Sequence, residues 1–151
     1  MPELHVEPIA PYDLDFIEAM IPYFKDFEPE WEPDDEWRAV YLPAIFNDPN
    51  RRLWWAALGG ERVGFVNFII TADWPNPAHK VGHIAEFTIF PAYRRRGYGR
   101  LLAQAVFEEL WTRGVNRIEL SVLAGREHSY AFWESLGCRP GFTVMRAPSP
   151  H

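Results

Sequence analysis

Residues 89–102 read IFPAYRRRGYGRLL, and the organisation of the chain follows from this stretch. Ile89 and Phe90 end an apolar, strand-like run, and Pro91 and Tyr93 interrupt it. Four arginines and two glycines then occupy six of the seven positions from Arg94 to Arg100, with Tyr98 as the seventh. From Leu101 onward apolar residues recur at helical spacing, so the stretch is a strand–turn–helix joint. A helix start leaves backbone N–H groups without partners and carries a partial positive charge, which together suit an anion. Glycines there let the backbone approach a phosphate closely, because no Cβ intervenes. Two readings compete on spacing alone: a solvated arginine turn before an ordinary helix, or a phosphate site. The third glycine of a dinucleotide fingerprint is missing, and no Gly-Lys-Ser/Thr follows to make a P-loop.

Downstream of the joint, Leu101, Leu102, Ala105, Val106 and Leu110 form one stripe of a helix that Gly114 closes. NRIELSVL (116–123) reads as a strand, REHSYAFWESLG (126–137) as a short helix stopped by Gly137, and GFTVMRA (141–147) as a last strand. Upstream, VGHIAEFTIF (81–90) is a strand and DWPNPAHK (73–80) a proline-rich loop. RRLWWAALGGERVGFVNFII (51–70) is two apolar runs around Gly59-Gly60, the pattern of a β-hairpin. DDEWRAVYLPAIF (34–46) offers Asp34 or Asp35 as an N-cap, with Trp37, Val40, Tyr41 and Ile45 on one side. YDLDFIEAMIPYFKDF (12–27) spaces Leu14, Ile17, Ile21 and Phe24 as a helix that Pro22 should kink or end. Leu4–Pro8 is a short first strand. The order β-α-α-β-β-β-α-β-α-β predicts an α/β fold, a mixed sheet with helices on both faces. Length is that of a single domain, 1–151.

Composition narrows the function. Net charge is −6 and pI about 5.3, which disfavours non-specific nucleic-acid binding. Arg94–Arg100 is therefore a local concentration of charge on an acidic chain. Cys138 is the single cysteine, so neither an internal disulfide nor a cysteine metal site is expected. His5, His128 and His151 lack metal-ligand spacing, and no Gly-x-Ser-x-Gly element is present. The stretch MPELHVEPIAPYDLD has no basic start followed by an apolar run, and no segment has the length of a membrane span. A cytoplasmic protein without membrane partners is the expectation.

The joint closely resembles the acetyl-CoA site of the GNAT superfamily of N-acetyltransferases, whose hallmark is Gln/Arg-x-x-Gly-x-Gly/Ala between a strand and a helix. Arg94, Gly97 and Gly99 fill that pattern, and Ile89, Pro91 and Tyr93 match its approach. WWAALGGERVGFVNFI resembles the family's second and third strands, and AFWESLGC its late helix. The resemblance spans roughly Leu53 to Phe142 and implies a mostly antiparallel central sheet. It implies that acetyl-CoA is the acetyl-donor co-substrate, its pyrophosphate held by the amides of Arg95, Arg96, Gly97, Tyr98, Gly99 and Arg100. The arginines would meet the 3′-phosphate, and Trp133 would lie against the cofactor. The pantetheine arm would run along Phe87, Thr88 and Ile89, where the strand splays from NRIELSVL, with an amide near Ile89 facing the thioester oxygen.

Acetyl transfer needs a base to free the amine lone pair, and the resemblance implies Glu86 or His83. Strict alternation places these two on opposite faces, unless a β-bulge common in the family intervenes. Each also reads structurally, Glu86 as a salt-bridged glutamate and His83 as a satisfied half-buried histidine. Family members commonly carry a tyrosine where this chain has Trp133, and indole cannot protonate a leaving thiolate. Tyr130 is the nearby substitute, though its spacing differs. Residues 26–37 carry seven acids interleaved with Phe27, Trp31 and Trp37. They read as a solvated loop, or as an acceptor wall drawing a cationic amine by charge and cation–π contact, with Trp74 from the proline-rich loop. The activity implied is N-acetylation of a primary amine on a small molecule or peptide, by direct attack in a ternary complex. An acyl-CoA-binding module with little turnover and a nucleic-acid contact are the alternatives, and a homodimer is a family habit.

Overall fold

The computed structural model describes residues 3–151. Strand β1 (Leu4–Pro8) leads into helix α1 (Leu14–Phe27), capped by Asp13, whose carboxylate accepts from the Asp15 amide at 2.9 Å. Of the two outcomes expected at Pro22, a kink or an end, the end does not occur, and α1 runs through to Phe27. Pro22 lies on the exposed side, while buried Phe16 and Met20 and half-buried Tyr23 and Phe24 hold both halves against the core. Asp34 caps the next helical stretch, accepting from the Trp37 amide at 2.8 Å. That stretch opens with a π-helical turn (Trp37–Tyr41) and continues as α2 (Leu42–Phe46).

Strands β2 (Arg51–Leu58), β3 (Glu61–Asp73) and β4 (Asn76–Ile89) form an antiparallel meander with β1, and β5 (Arg117–Leu120) adds parallel to β4. The sheet order is β1-β2-β3-β4-β5. The expected proline-rich loop is instead mostly hairpin. Asp73 pairs with Asn76 and Ala72 with Lys80, leaving Trp74 and Pro75 at the tip. A loop-like composition is overridden here because backbone pairing asks only for extended dihedrals, which proline supplies at an exposed end.

Register assigns the faces. Trp55 sits opposite Phe65, and both pack with Phe16, Met20, Trp37, Leu42 and Ile45 in one core. Ile70 and its partner Gly82 point the other way, where a Cβ on Gly82 would lie 2.8 Å from the Leu110 side chain. Helix α3 (Tyr98–Thr112) therefore covers the second face with Leu102, Val106 and Leu110. This is the expected mixed α/β sheet, mostly antiparallel, with helices on both faces.

The chain divides into two compact units, the first ending at Ser121 and the second covering Val122–His151. The second holds helix α4 (Glu127–Ser135). The strand expected over 141–147 does not form, and Phe142, Val144 and Met145 are 94%, 74% and 87% exposed. Strand-prone residues make a strand only with a partner edge, and this segment has none. No helix among the described residues is long and apolar enough to cross a membrane.

Candidate active site

The turn between β4 and α3 is built for backbone exposure. A 3-10 turn (Pro91–Tyr93) ends β4, and the Tyr93 hydroxyl is hydrogen-bonded to the Glu61 carboxylate of the β2–β3 turn. The Arg94 side chain folds back, its Nε donating to the Ile89 carbonyl at 2.7 Å, so this guanidinium braces the loop. Arg95 and Gly97 then adopt left-handed conformations, with φ of 66° and 83°. Left-handed residues on either side of Arg96 are of the kind from which anion-binding nests of backbone amides are built. Gly97 caps α3 without any side chain doing so, and a Cβ there would meet nothing within 4 Å. The first-turn amides of Tyr98, Gly99 and Arg100 have no intrahelical partner. Arg95, Arg96 and Arg100 are exposed around them. The residues present thus fit a diphosphate: open backbone donors, a helix dipole and flanking cations. No group of histidine, cysteine and acidic side chains among the described residues is arranged to hold a metal ion.

Ahead of that loop, β4 and β5 part company. Their ladder ends at Ile84–Leu120, while β4 continues to Ile89. Phe87, Thr88 and Ile89 therefore lie beyond the end of β5, as the splay implied by the resemblance requires. Next to the split, Glu86 faces Asn67 and Ile84 faces Phe68, which leaves Ala85 as an extra residue in β4. This bulge changes the parity. His83, opposite Ile69, and Glu86, opposite Asn67, share the face covered by α1 and α2.

Glu86 is 7% exposed and holds two short hydrogen bonds. The Tyr41 hydroxyl donates to Oε1 at 2.5 Å, and the Asn67 amide donates to Oε2 at 2.5 Å. Arg51 donates in turn to the Asn67 carbonyl oxygen at 2.9 Å. Burial pushes the Glu86 carboxyl up, while Tyr41, Arg51 and Asn67 pull it back. Burial and the Glu86 charge push the Tyr23 hydroxyl up to about 12, and that hydroxyl accepts from the Phe87 backbone amide. Tyr41 is raised for the same two reasons.

Of the residues expected at the acceptor side, Phe27 stacks edgewise on Tyr23 at 5.0 Å and Trp31 lies 5.4 Å from Trp37. These two come together with the Glu86 cluster through aromatic contacts. Trp74, at the hairpin tip and 76% exposed, does not: roughly 23 Å of extended strand separates it from Asn67, the β3 partner of Glu86. Tyr130 and Trp133 lie on α4 in the second unit, where Trp133 packs on Phe132 at 4.9 Å. Tyr41, Asn67, Arg51 and Tyr23 are the site residues that sequence reasoning missed. Asn67 carried a signal, since one amide inside GFVNFII must find partners when buried.

A profile of the acetyltransferase (GNAT) family matches residues 16–138. The chain belongs to the GNAT family. It is 38% identical over 85 residues to a ribosomal protein bS18-alanine N-acetyltransferase of Salmonella typhimurium, covering 52% of this chain and 56% of that protein. It is 31% identical over 114 residues to an L-ornithine N5-acetyltransferase of Arabidopsis thaliana, covering 74% of this chain and 48% of the relative. The chain thus spans about half the length of these curated relatives. Among solved structures, an aminoglycoside N-acetyltransferase in complex with CoA superposes with a TM-score of 0.74 at 18% identity, covering 100% of this chain and 97% of that one. A transcriptional regulator from Bacillus halodurans reaches 0.78 at 22% identity, covering 97% and 100%. Likeness at those identities concerns the fold alone.

Proposed function

We propose that this GNAT chain is an acetyl-CoA-dependent N-acetyltransferase that acetylates a primary amine of a small molecule or peptide by direct attack in a ternary complex. The observation that carries the reading is the left-handed Arg95–Gly97 turn opening α3 immediately after β4 outruns β5. The amides of Arg95 to Arg100 hold the diphosphate, and the Phe87–Ile89 edge takes the pantetheine arm like an added strand. An amide near Ile89 meets developing charge on the thioester oxygen. Acetyl-CoA supplies the activated acyl group; the chain orients it and removes a proton from the acceptor. Glu86 is the base, because the bulge at Ala85 turns it into the cluster beneath the split. Phe27, Trp31 and the acids of 26–36 draw the ammonium toward it. Relatives named for a ribosomal protein alanine, for ornithine and for glucosamine 6-phosphate support an amine acceptor and leave its class open. With one cysteine and no membrane-spanning helix among the described residues, we place the reaction in the cytoplasm as the work of a single domain.

A thiol-release assay over polyamines, aminoglycosides and amino-terminal peptides tests the reading, with calorimetry of acetyl-CoA binding alongside. Binding without turnover of any amine would favour the second reading, an acyl-CoA-binding module. Trp133 in place of the usual tyrosine supports that alternative. Glu86→Gln separates the two, since it should slow an enzyme and leave a binding module's affinity untouched.

A further inference from the structure

The two oxygens of the Glu86 carboxylate have different partners. Arg51 can only donate hydrogen bonds, so its 2.9 Å contact fixes the Asn67 carbonyl oxygen toward β2. The Asn67 NH2 group must then face Glu86, where it donates to Oε2 at 2.5 Å. Asn67 is 1% exposed and cannot exchange that contact for water. Oε1 remains, and the Tyr41 hydroxyl sits on it at 2.5 Å. Tyr41 and Arg51 are half-buried, while Asn67 and Glu86 are buried, and of the half-buried pair only Tyr41 touches Glu86 with a hydroxyl. The Tyr41 oxygen therefore links Oε1 of Glu86 to a half-buried position nearer the surface.

The surroundings of Tyr41 match a cationic donor. Tyr41 ends the π-helical turn, a rare geometry that is frequent at functional sites. The turn stacks Tyr41 on Trp37 at 5.8 Å with planes 17° apart. Trp31 continues the aromatic series at 5.4 Å from Trp37, and Phe24 touches both Trp31 and Tyr41. Trp31 itself lies inside the acidic segment 26–36. Half-buried Trp31 and the carboxylates beside it thus lie two aromatic contacts from the hydroxyl on Glu86, and an alkylammonium is attracted to that outer end.

We propose that Tyr41 is a catalytic proton carrier, its hydroxyl accepting a proton from the acceptor ammonium as it passes its own to Oε1 of Glu86. The assignment rests on the acetyl-transfer reading above. The ammonium N–H bond breaks as the new Tyr41 O–H bond forms, and the old Tyr41 O–H bond breaks as Glu86 becomes a carboxylic acid. The freed lone pair forms the C–N bond to the acyl carbon, and the C–S bond breaks. The nitrogen's second proton leaves with the sulfur as thiol, and Glu86 returns its proton to solvent. The exchange is concerted, so no tyrosinate forms, consistent with a hydroxyl held protonated by burial and by Glu86. The charged and titratable groups facing Glu86 are Tyr41 from the π turn, Tyr23 with Asp26 behind it from α1, and Arg51 from β2. His83 shares the face from β4 itself.

Tyr41→Phe keeps the ring and removes the carrier. On the most active amine of the panel its kcat should fall about 100-fold, with KM for the amine within about threefold. The acid limb of its pH profile should move to higher pH, because Glu86 loses a donor that favours its charged form. In the protein without ligand, the infrared carbonyl band of protonated Glu86, identified by its absence in Glu86→Gln, should likewise titrate at higher pH in Tyr41→Phe. A merely structural Tyr41 would move the limb and the band through the lost hydrogen bond, but would leave kcat on the plateau above the limb within about threefold of wild type. Should Tyr41→Phe not fold, a ring-fluorinated tyrosine at 41 serves, and an unchanged kcat–pH profile there overturns the proposal. Wild-type kcat in Tyr41→Phe, or an unmoved band, also overturns it while leaving acetyl transfer standing. A wild type that turns over no amine removes the acetyl-transfer reading, and the carrier with it.

Discussion

The turn over 94–100 and the cluster around Glu86 are assembled by opposite means. The first is exposed, continuous in sequence and made of main chain: two left-handed residues, an uncapped helix start and arginines at the rim. The second is buried, made of side chains, and gathers Tyr41, Arg51, Asn67 and Glu86 from four elements. On the proposed function, anion binding and proton handling would therefore be separable. One depends on local backbone geometry in a wet, high-dielectric rim, where charge is cheap to keep. The other depends on desolvation, where each charge needs a named partner.

The largest expected effect breaks the buried half alone. Asn67→Leu takes the donor from Glu86 and the acceptor from Arg51 at once. Leaving both unsatisfied should cost about 3 kcal/mol in chemical unfolding. Folded protein should nonetheless bind CoA within about twofold of wild type by calorimetry. The converse variant, Gly99→Glu, puts a carboxylate among the first-turn amides of α3 and should weaken CoA at least about 100-fold, or about 2.7 kcal/mol. It should leave the midpoint of unfolding nearly unchanged. If Asn67→Leu weakened CoA as much as Gly99→Glu does, the two regions would be one functional unit and the comparison would fail.

Legibility in the sequence follows the same division. The turn is readable because its requirements are local: a glycine at the left-handed helix cap, Gly97, and arginines and an apolar stripe in fixed order. Helix α1 shows the limit of such rules. Of the two outcomes expected at Pro22, a kink or an end, the helix does not end: the exposed placement of Pro22 and the core anchors on either side carry it to Phe27. The hairpin over 73–80 and the absent strand over 141–147 fail for a shared reason, since pairing depends on a distant edge that local propensity does not see. Glu86 was found as a candidate, but its partners were not. Tyr41 lay on a helical stripe that reads as core, and Arg51 on a strand start that reads as surface. Only the bulge at Ala85 and the β2–β3 register bring them together, and both are products of tertiary structure.

A smaller effect sharpens the division within the exposed half. If the arginines meet the 3′-phosphate while the amides meet the diphosphate, Arg96→Ala should lower affinity for CoA about tenfold and for dephospho-CoA hardly at all. Titration calorimetry with both ligands reads the difference, and equal losses would assign Arg96 to the diphosphate.

The smallest effect concerns what Glu86 costs the fold. Burial raises its carboxyl above the usual glutamate range, although Tyr41, Arg51 and Asn67 oppose the shift. In the pH window between the unfolded value, about 4.3, and the higher folded one, the folded chain binds more protons than the unfolded chain. Stability is therefore fully present below the unfolded value and falls as pH rises through the window, levelling once Glu86 is ionised in both states. The total drop is about 1.4 kcal/mol for each pH unit by which the folded value exceeds the unfolded one. Glu86→Gln cannot ionise, so its melting temperature should lack this component of the decline from pH 4.5 upward. A wild-type stability that rose through that window relative to Glu86→Gln would mean the three donors outweigh burial. The cluster would then hold a resting carboxylate that gains nothing by taking a proton from the amine.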